Sequence, residues 1–423
     1  MIKPNLTISA PVSSRSERGD RSRDLIHSLV QMDKYDIKIL DQQRGTNTPK
    51  NALPKEFLSM VVANLTAQPD IWVQVAPPHL LTKVGKYNIG VTEGIGADRP
   101  SPEALEGANR MDLVIVPSEH TRQLFTVAGY QTKDNKTQQV TGELKLTTKL
   151  EVLFEGLDLS IFNKPAKPCE NIHLTMDTIP EKDCYLVVGT WENGEFSHDR
   201  KDMGGTIRTF LETFKNKSAK NQPALVVRTS KGSYSLTDRE DMLDRIRQVR
   251  SSIETTGPVP NVYLLHGELS PKEVNTLNHH SKIKAMISFS HGESFGRSLL
   301  EFGITGKPIL APNWSGQLDF LSKYGLLLQG QLSPVHASAL EEKITPEGCN
   351  WYYIDYGYAM GVIKDVDSNY KKHLAKSRKQ KQYVKDNFTL TKMTELFTKQ
   401  LEDNVPSFEI ELPKLEELET YGQ

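Results

Sequence analysis

Two successive series of short apolar runs, separated by amphipathic or turn-rich stretches, narrow the fold more than any other feature of this sequence. The first series is Leu6–Ser9, Asp36–Leu40, Ile71–Val75, Tyr87–Thr92 and Asp112–Val116. The second is Cys184–Gly189, Ala224–Arg228, Asn261–His266, Lys284–Ser290 and Pro308–Ala311. Runs this short, apolar on both faces, fit strands of a parallel sheet, which need crossovers of helical length between them. The intervening segments supply them. Ser22–Met32 sets Leu25, Ile26, Leu29 and Val30 on one helical stripe. Ser101-Pro102-Glu103 offers an N-cap and an N1 proline, and Ser118 caps a helix through Leu124 and Phe125. The predicted class is α/β with two doubly wound domains.

The boundaries follow from composition. Residues 1–165 form the first domain and 184–385 the second. Between them, 166–183 is expected to be a linker, because Asn163–Asp183 is rich in Pro and Lys and lacks periodicity. The polar, Thr-rich Gln131–Thr148 reads as a hairpin or excursion, Tyr370–Asn404 as helical, and 406–423 as a poorly packed tail. A chain of 423 residues needs no disulfide or metal to hold its cores. Its three cysteines, Cys169, Cys184 and Cys349, are isolated, so a reducing cytoplasm is expected. No apolar run approaches the roughly 18 residues of a membrane span, and the N-terminus lacks a signal-peptide centre. A formal net charge of −1 removes global steering toward a polyanion.

Lys284–Leu321 carries the most chemistry. It reads as strand, tight polar loop, helix, turn, strand. Gly292, Gly296 and Gly303 let backbone approach a ligand. A helix starting near Gly296 turns the N–H groups of about Gly296 to Ser298 into the cleft, an anion site suited to a diphosphate. Glu293 and Glu301 can face that cleft while Leu299, Leu300 and Ile304 pack inward. Carboxylates accept well from vicinal hydroxyls, so a ribose or hexose is their natural partner.

The spacing Glu293-x7-Glu301 within HGESFGRSLLEFGITGKPILAPNWSG resembles the signature of retaining glycosyltransferases of family 4, close to GExFGxxxLEAMAxGxPVIA. Val187–Phe214 is similar to the first strand, loop and helix of their donor domain. NVYLLHGELSPKEVNTL resembles the strand before the nucleotide-base loop, and ISAPVSSRSERGDRSRDLIHSL the glycine loop and first helix of the acceptor domain. NIGVTEG, NRMDLVIVPSEHTRQLF and VLFEGLDLSIF are similar as well. The resemblance implies the GT-B fold: two Rossmann-like domains facing each other across a cleft, acceptor-binding first and donor-binding second, with a helix at 386–405 packing back on the first. It implies transfer of a sugar from a nucleoside diphosphate sugar, a UDP-sugar in the first instance, to a hydroxyl with retention. No other cofactor and no metal are expected.

Site roles come from the same resemblance. Glu293 contacts donor-sugar hydroxyls, Glu301 the ribose, and backbone at Phe295, Gly296, Arg297 and Ser298 the diphosphate. Lys201 stands where a cation for the leaving diphosphate is expected. The arginine usual after the first donor-domain strand is replaced by Thr190 and Trp191, and Arg200, Arg228 or Lys231 are its candidate substitutes. Gly267 belongs to the base loop. Glu93, after a first-domain strand, can face the cleft and is a catalytic candidate with Glu293 and Lys201; on the acceptor side Gly19, Arg18 and Arg21 lie in the first loop, and Asp98 and His79 follow strands and can face the cleft.

The four arginines Arg15, Arg18, Arg21 and Arg23 suggest an anionic acceptor, help with the diphosphate, or only a charged helix start. Tyr370–Phe388 is basic, as a solvated face or a peripheral membrane contact. His279-His280 reads as mid-helix and structural, without a third metal ligand. Asp365-Val366-Asp367 imitates a DxD metal motif but reads as a surface loop. The expected acceptor is a surface glycan, a glycolipid, or a hydroxylated or hydroxymethylated pyrimidine in phage DNA. The last follows a looser likeness of the arginine loop and the ELPKLEEL tail to bacteriophage-encoded members; it would place the protein in a host cytoplasm. Alternatives are a GT-B sugar-nucleotide epimerase and a non-catalytic sugar-nucleotide or glycan-binding protein. Nothing in the sequence sets the oligomeric state.

Overall fold

The computed structural model describes residues 3–42, 53–94, 96–134, 136–137, 139–192, 194 and 196–408; the ELPKLEEL tail lies outside them. Two six-stranded sheets, each parallel throughout, organise the chain. Across the first, the order is Asp36–Asp41, Asn5–Ala10, Ile71–Val75, Tyr87–Val91, Leu113–Val116 and Lys149–Val152. Across the second it is Val262–Leu265, Ala224–Arg228, Cys184–Val188, Ile283–Ile287, Ile309–Pro312 and Leu326–Leu328. The central strands are buried on both faces: Leu6, Ile8, Val73, Ile89, Leu113, Leu186, Leu225, Val227 and Ile287 are fully or almost fully enclosed. Helices on both sides bury their own stripes against them, which is why the runs read as continuous rather than alternating.

Strand order reverses beside the first strand of each sheet: at Asn5–Ala10 in the first and at Cys184–Val188 in the second. At such a point neighbouring loops diverge to opposite faces and open a crevice at the carboxyl ends of the strands. Both crevices face the same space. The chain then crosses back. Helix Leu390–Asn404 lies on helix Glu17–Met32, with Met393, Phe397 and Leu401 in the first domain's core and Ser28 Oγ 2.8 Å from Thr394 Oγ1.

Several local expectations need correction. The predicted linker contains a helix, Glu170–Asp177, whose Ile172 and Met176 are buried in the second domain; two apolar positions in one short helix give too weak a period to read. Asp365 and Asp367 belong to helix Tyr356–Ser368, around the fully buried Val366, not to a loop. His279 ends its helix and His280 is the C-cap, so neither is mid-helix. The helix expected at Ser22 begins at Glu17, capped by Ser16. The Thr-rich excursion is an antiparallel hairpin, Gly129–Lys133 with Val140–Lys145. A second ladder, Gly330–Pro334 with Asn350–Ile354, is absent from the sequence-based prediction.

Candidate functional site

A cavity of about 600 Å³ lies where the two crevices meet. The first domain lines it with Arg15–Arg18 and Arg21 at the start of a helix, with Glu93 and Gly94 after Tyr87–Val91, and with Glu155. The second contributes Val188–Thr190, Glu192, Arg200, Lys201, Arg228–Ser230 and the loop at Glu293–Ser294, Gly296 and Ser298.

Lys201 is delivered by a bent loop. Asp202 caps helix Met203–Phe214 from a left-handed conformation, φ 46°, which costs a non-glycine residue about 1 kcal/mol or more. Its carboxylate accepts from Gly205 N at 3.1 Å and from Tyr356 Oη at 2.6 Å. Burial pushes Asp202 well above the ordinary carboxyl range. Asp199 accepts from Met203 N, and His291 spans the carbonyls of Ser197 and Tyr352. Between these anchors Lys201 Nζ meets Glu293 Oε1 at 2.5 Å, both side chains more than nine-tenths buried.

Glu293 is braced in turn. Its N–H donates to Ser315 Oγ at 2.9 Å, and its carbonyl accepts from Gly316 N at 2.8 Å. Gly316 must be glycine: a Cβ would stand 2.0 Å from the Ser294 carbonyl. Arg200 Nη1 lies 3.8 Å from Glu293 Oε2, and its Nη2 donates to Glu192 at 2.9 Å. Burial alone would raise the Glu293 carboxyl; Lys201 and Arg200 outweigh it and hold it below its usual value. Burial likewise pushes Glu192 up, and Arg200 pulls it down further. The site therefore holds ionised carboxylates and two cations around one space, a charge distribution that can both orient hydroxyls and receive a phosphate.

A second cluster joins the domains. Arg297 Nη1 lies 2.6 Å from Asp24 Oδ2 and 3.6 Å from Glu155 Oε2, and its Nε donates to Glu301 Oε1 at 3.1 Å. Arg21 Nη1 is 3.5 Å from Glu155 and its Nη2 donates to the Leu153 carbonyl. Burial raises both Glu155 and Glu301 to about 7 against the pull of these arginines.

Of the residues singled out in the sequence, Glu293, Lys201, Glu93, Arg200, Arg228, Gly296, Ser298, Thr190, Arg15, Arg18 and Arg21 line the cavity. The others do not. Phe295 is in the second domain's core, where only its backbone can serve a ligand. Arg297 and Glu301 turn into the interdomain cluster. Lys231 donates its N–H to Asp238; Gly267, at φ 157°, follows His266, which holds the same aspartate. Gly19 is a packing position, since a Cβ there would meet the Ser14 carbonyl at 2.0 Å. His79 sits in a short 3-10 turn, Pro78–Leu80, whose carbonyl groups hold Arg110 and Leu81. Asp98 accepts from the Asn350 amide and side chain at 2.7 and 2.8 Å and ties the domains at the ladder that sequence analysis missed.

The first-loop arginines are individually matched: Arg15 with Glu268, Arg18 with Glu93, Arg21 with Glu155 and Arg23 with Asp20. A track of four unbalanced cations is therefore absent there. Glu155 and Glu192 are site residues that sequence reading passed over. Both follow sheet strands by a few residues, at the carboxyl ends where a ligand-facing acid is expected.

No known family profile matches this chain, and no curated protein matches it. Solved structures do. Anabaena HepE, in a complex with UDP and glucose, superposes with a TM-score of 0.63 at 12% identity, covering 95% of this chain and 100% of that one. Sucrose-phosphate synthase from Thermosynechococcus elongatus gives 0.62 at 11%, covering 95% and 98%. A glycosyltransferase from Rickettsia africae gives 0.61 at 13%, covering 95% and 99%. The fold is GT-B.

Proposed function

We propose that this protein is a retaining glycosyltransferase that moves a sugar from a UDP-sugar to the hydroxyl of a glycan or glycolipid. The observation that carries the reading is the buried Lys201–Glu293 pair, with Arg200 beside it, at the carboxyl edge of the second sheet and facing the first domain. The UDP and glucose in HepE, a protein of the same fold, support the donor class.

In this reading the second domain binds the nucleotide. Arg228 and Ser230 flank it, and Glu301, one turn into helix Arg297–Gly303, accepts from the ribose on giving up Arg297. Arg200 and Lys201 meet the diphosphate. As the bond from the sugar's anomeric carbon to the diphosphate breaks, negative charge grows on the departing oxygen. A fixed ammonium in a desolvated site stabilises that charge more than it stabilises the ground state. Glu293 exchanges part of its contact with Lys201 for donor-sugar hydroxyls, which holds the reacting carbon in line. The acceptor hydroxyl enters from the Arg18–Glu93 side on the face the diphosphate leaves, giving retention without an obligatory protein nucleophile. No step is assigned to a metal.

The matched arginines favour a neutral or weakly anionic acceptor over the DNA backbone, which binds through unneutralised cations and released counterions. The test is a panel of nucleotide sugars incubated with and without glycan acceptors and read by mass spectrometry. Release of UDP coupled to a glycosylated product supports the reading. Conversion of the donor into an epimer, or donor binding without turnover, would replace it with one of the two alternatives.

A further inference from the structure

The pair His279-His280 lacks a third ligand in the sequence, yet the fold brings two more candidate groups to His280. Helix Glu170–Asp177, in the connection between the domains, presents His173 and Asp177 one turn apart on a single face. That helix lies against helix Pro271–His279: Cys169 N donates to Thr276 Oγ1 at 3.1 Å, and Asn171 Nδ2 to Glu273 Oε1 at 2.5 Å. The packing sets the C-cap His280 beside the pair. Among the described residues, His173, Asp177 and His280 are the three metal-competent side chains whose ligand atoms all lie within 4.8 Å of one another.

The distances suit a small tetrahedral ion. Asp177 Oδ2 is 3.6 Å from His173 Nε2, and Asp177 Oδ1 is 3.5 Å from His280 Nε2. Two ligands at about 2.0–2.1 Å from a tetrahedral centre stand about 3.3 Å apart. The two imidazoles are 5.2 Å apart, centroid to centroid. A small rotation of the half-exposed His173 and Asp177 closes the remaining edge. His280 supplies an independent sign: its side chain is 3% exposed, and its buried Nε2 has no hydrogen-bond partner. His280 Nδ1 accepts from Lys282 N at 3.4 Å, so the neutral ring carries its proton on Nε2; that proton has only the Asp177 carboxylate 3.5 Å away, and a cation that displaces it would meet a carboxylate and a second imidazole.

We infer that His173, Asp177 and His280 form a Zn²⁺ site that staples the interdomain connection to the second domain. Two imidazoles and one carboxylate are the donor set of zinc rather than of Mg²⁺ or Ca²⁺, which need more oxygens. The exposed side leaves the fourth position to water. The facing cations are Lys282, whose ammonium is held by the Met176 and Ile179 carbonyls, and Lys307, which donates to the Asn278 and His280 carbonyls at 2.8 Å. None of the three ligands lines the cavity, so the site is structural and separate from sugar transfer.

The test uses the full chain freed of metal and titrated with Zn²⁺ against a chromophoric chelator, with Co²⁺ as a spectroscopic probe. One equivalent of Zn²⁺ should bind and raise the melting temperature, because a ligand of the native state stabilises it. His173→Ala and Asp177→Ala should each weaken binding about tenfold or more and abolish the thermal shift. Both side chains are half exposed, so folding survives either change. The wild type should also give the intense visible bands of tetrahedral Co²⁺, and the variants should lose them. No bound equivalent in the wild type, or undiminished binding in both variants, overturns the inference; so does binding with no thermal shift.

Discussion

Replacing Lys201 by Ala should injure stability and catalysis by separable amounts. The ammonium is 2.5 Å from Glu293, and both side chains are more than nine-tenths buried at the cavity wall. Removing one partner of a buried pair costs about 3–5 kcal/mol, chiefly by stranding the other charge. Arg200 stays 3.8 Å from the other Glu293 oxygen, so the cost should sit at the lower end, about 3 kcal/mol. Urea unfolding of wild type and variant reads this directly. The double change Lys201→Ala with Glu293→Gln removes the stranded charge, so it should recover much of the lost stability. Activity should not follow. Losing a donor to the departing diphosphate should lower kcat by about 10²–10³, with a smaller change in donor affinity, and the double variant should be no faster. A double variant as unstable as the single one refutes the stranded-charge argument. A single variant with normal kcat refutes the assignment of Lys201 to the leaving group.

Glu301→Ala should weaken UDP binding by about 1.5–3 kcal/mol, and Glu301→Gln by less, in calorimetric titrations. Arg297→Met should destabilise the fold by about 3–5 kcal/mol in urea unfolding, because it removes the guanidinium that pairs with Asp24, Glu155 and Glu301 and leaves only Glu155 a direct arginine partner, Arg21. Glu155 titrates at about 7 in the native state, above its unfolded value near 4.3, so its contribution is full below about pH 4.5 and is lost as pH rises through 7. Glu155→Gln should therefore gain on the wild type between pH 5 and pH 8 in urea unfolding measured at both.

The sheets and the Glu293 loop were legible because their signals are local. An apolar run of five or six residues, and a glycine-rich turn between strand and helix, depend on neighbours in the chain. Charge pairing does not. Lys201 and Glu293 meet across 92 residues, and Arg297 meets Asp24 across 273. Nothing near Arg15–Arg23 in the sequence tells that three of the four arginines find carboxylates elsewhere in the fold, so the loop read as a basic patch. Glu155 was passed over for the same reason: it is an isolated acid until Arg21 and, from the opposite domain, Arg297 reach it. Glu192 pairs with Arg200 only eight residues on, and only the bend of their loop turns both into the cavity. Helix Glu170–Asp177 was hidden because its order rests on packing against helix Pro271–His279 rather than on its own proline-flanked composition.

Proton NMR of the anomeric signal during turnover of a UDP-sugar tests the central claim most directly, with wild type and Lys201→Ala run side by side. The account predicts that the product first formed by the wild type carries the donor's anomeric configuration, and that the variant forms it about 10²–10³ times more slowly. An inverted product, or equal rates from the two proteins, would contradict it.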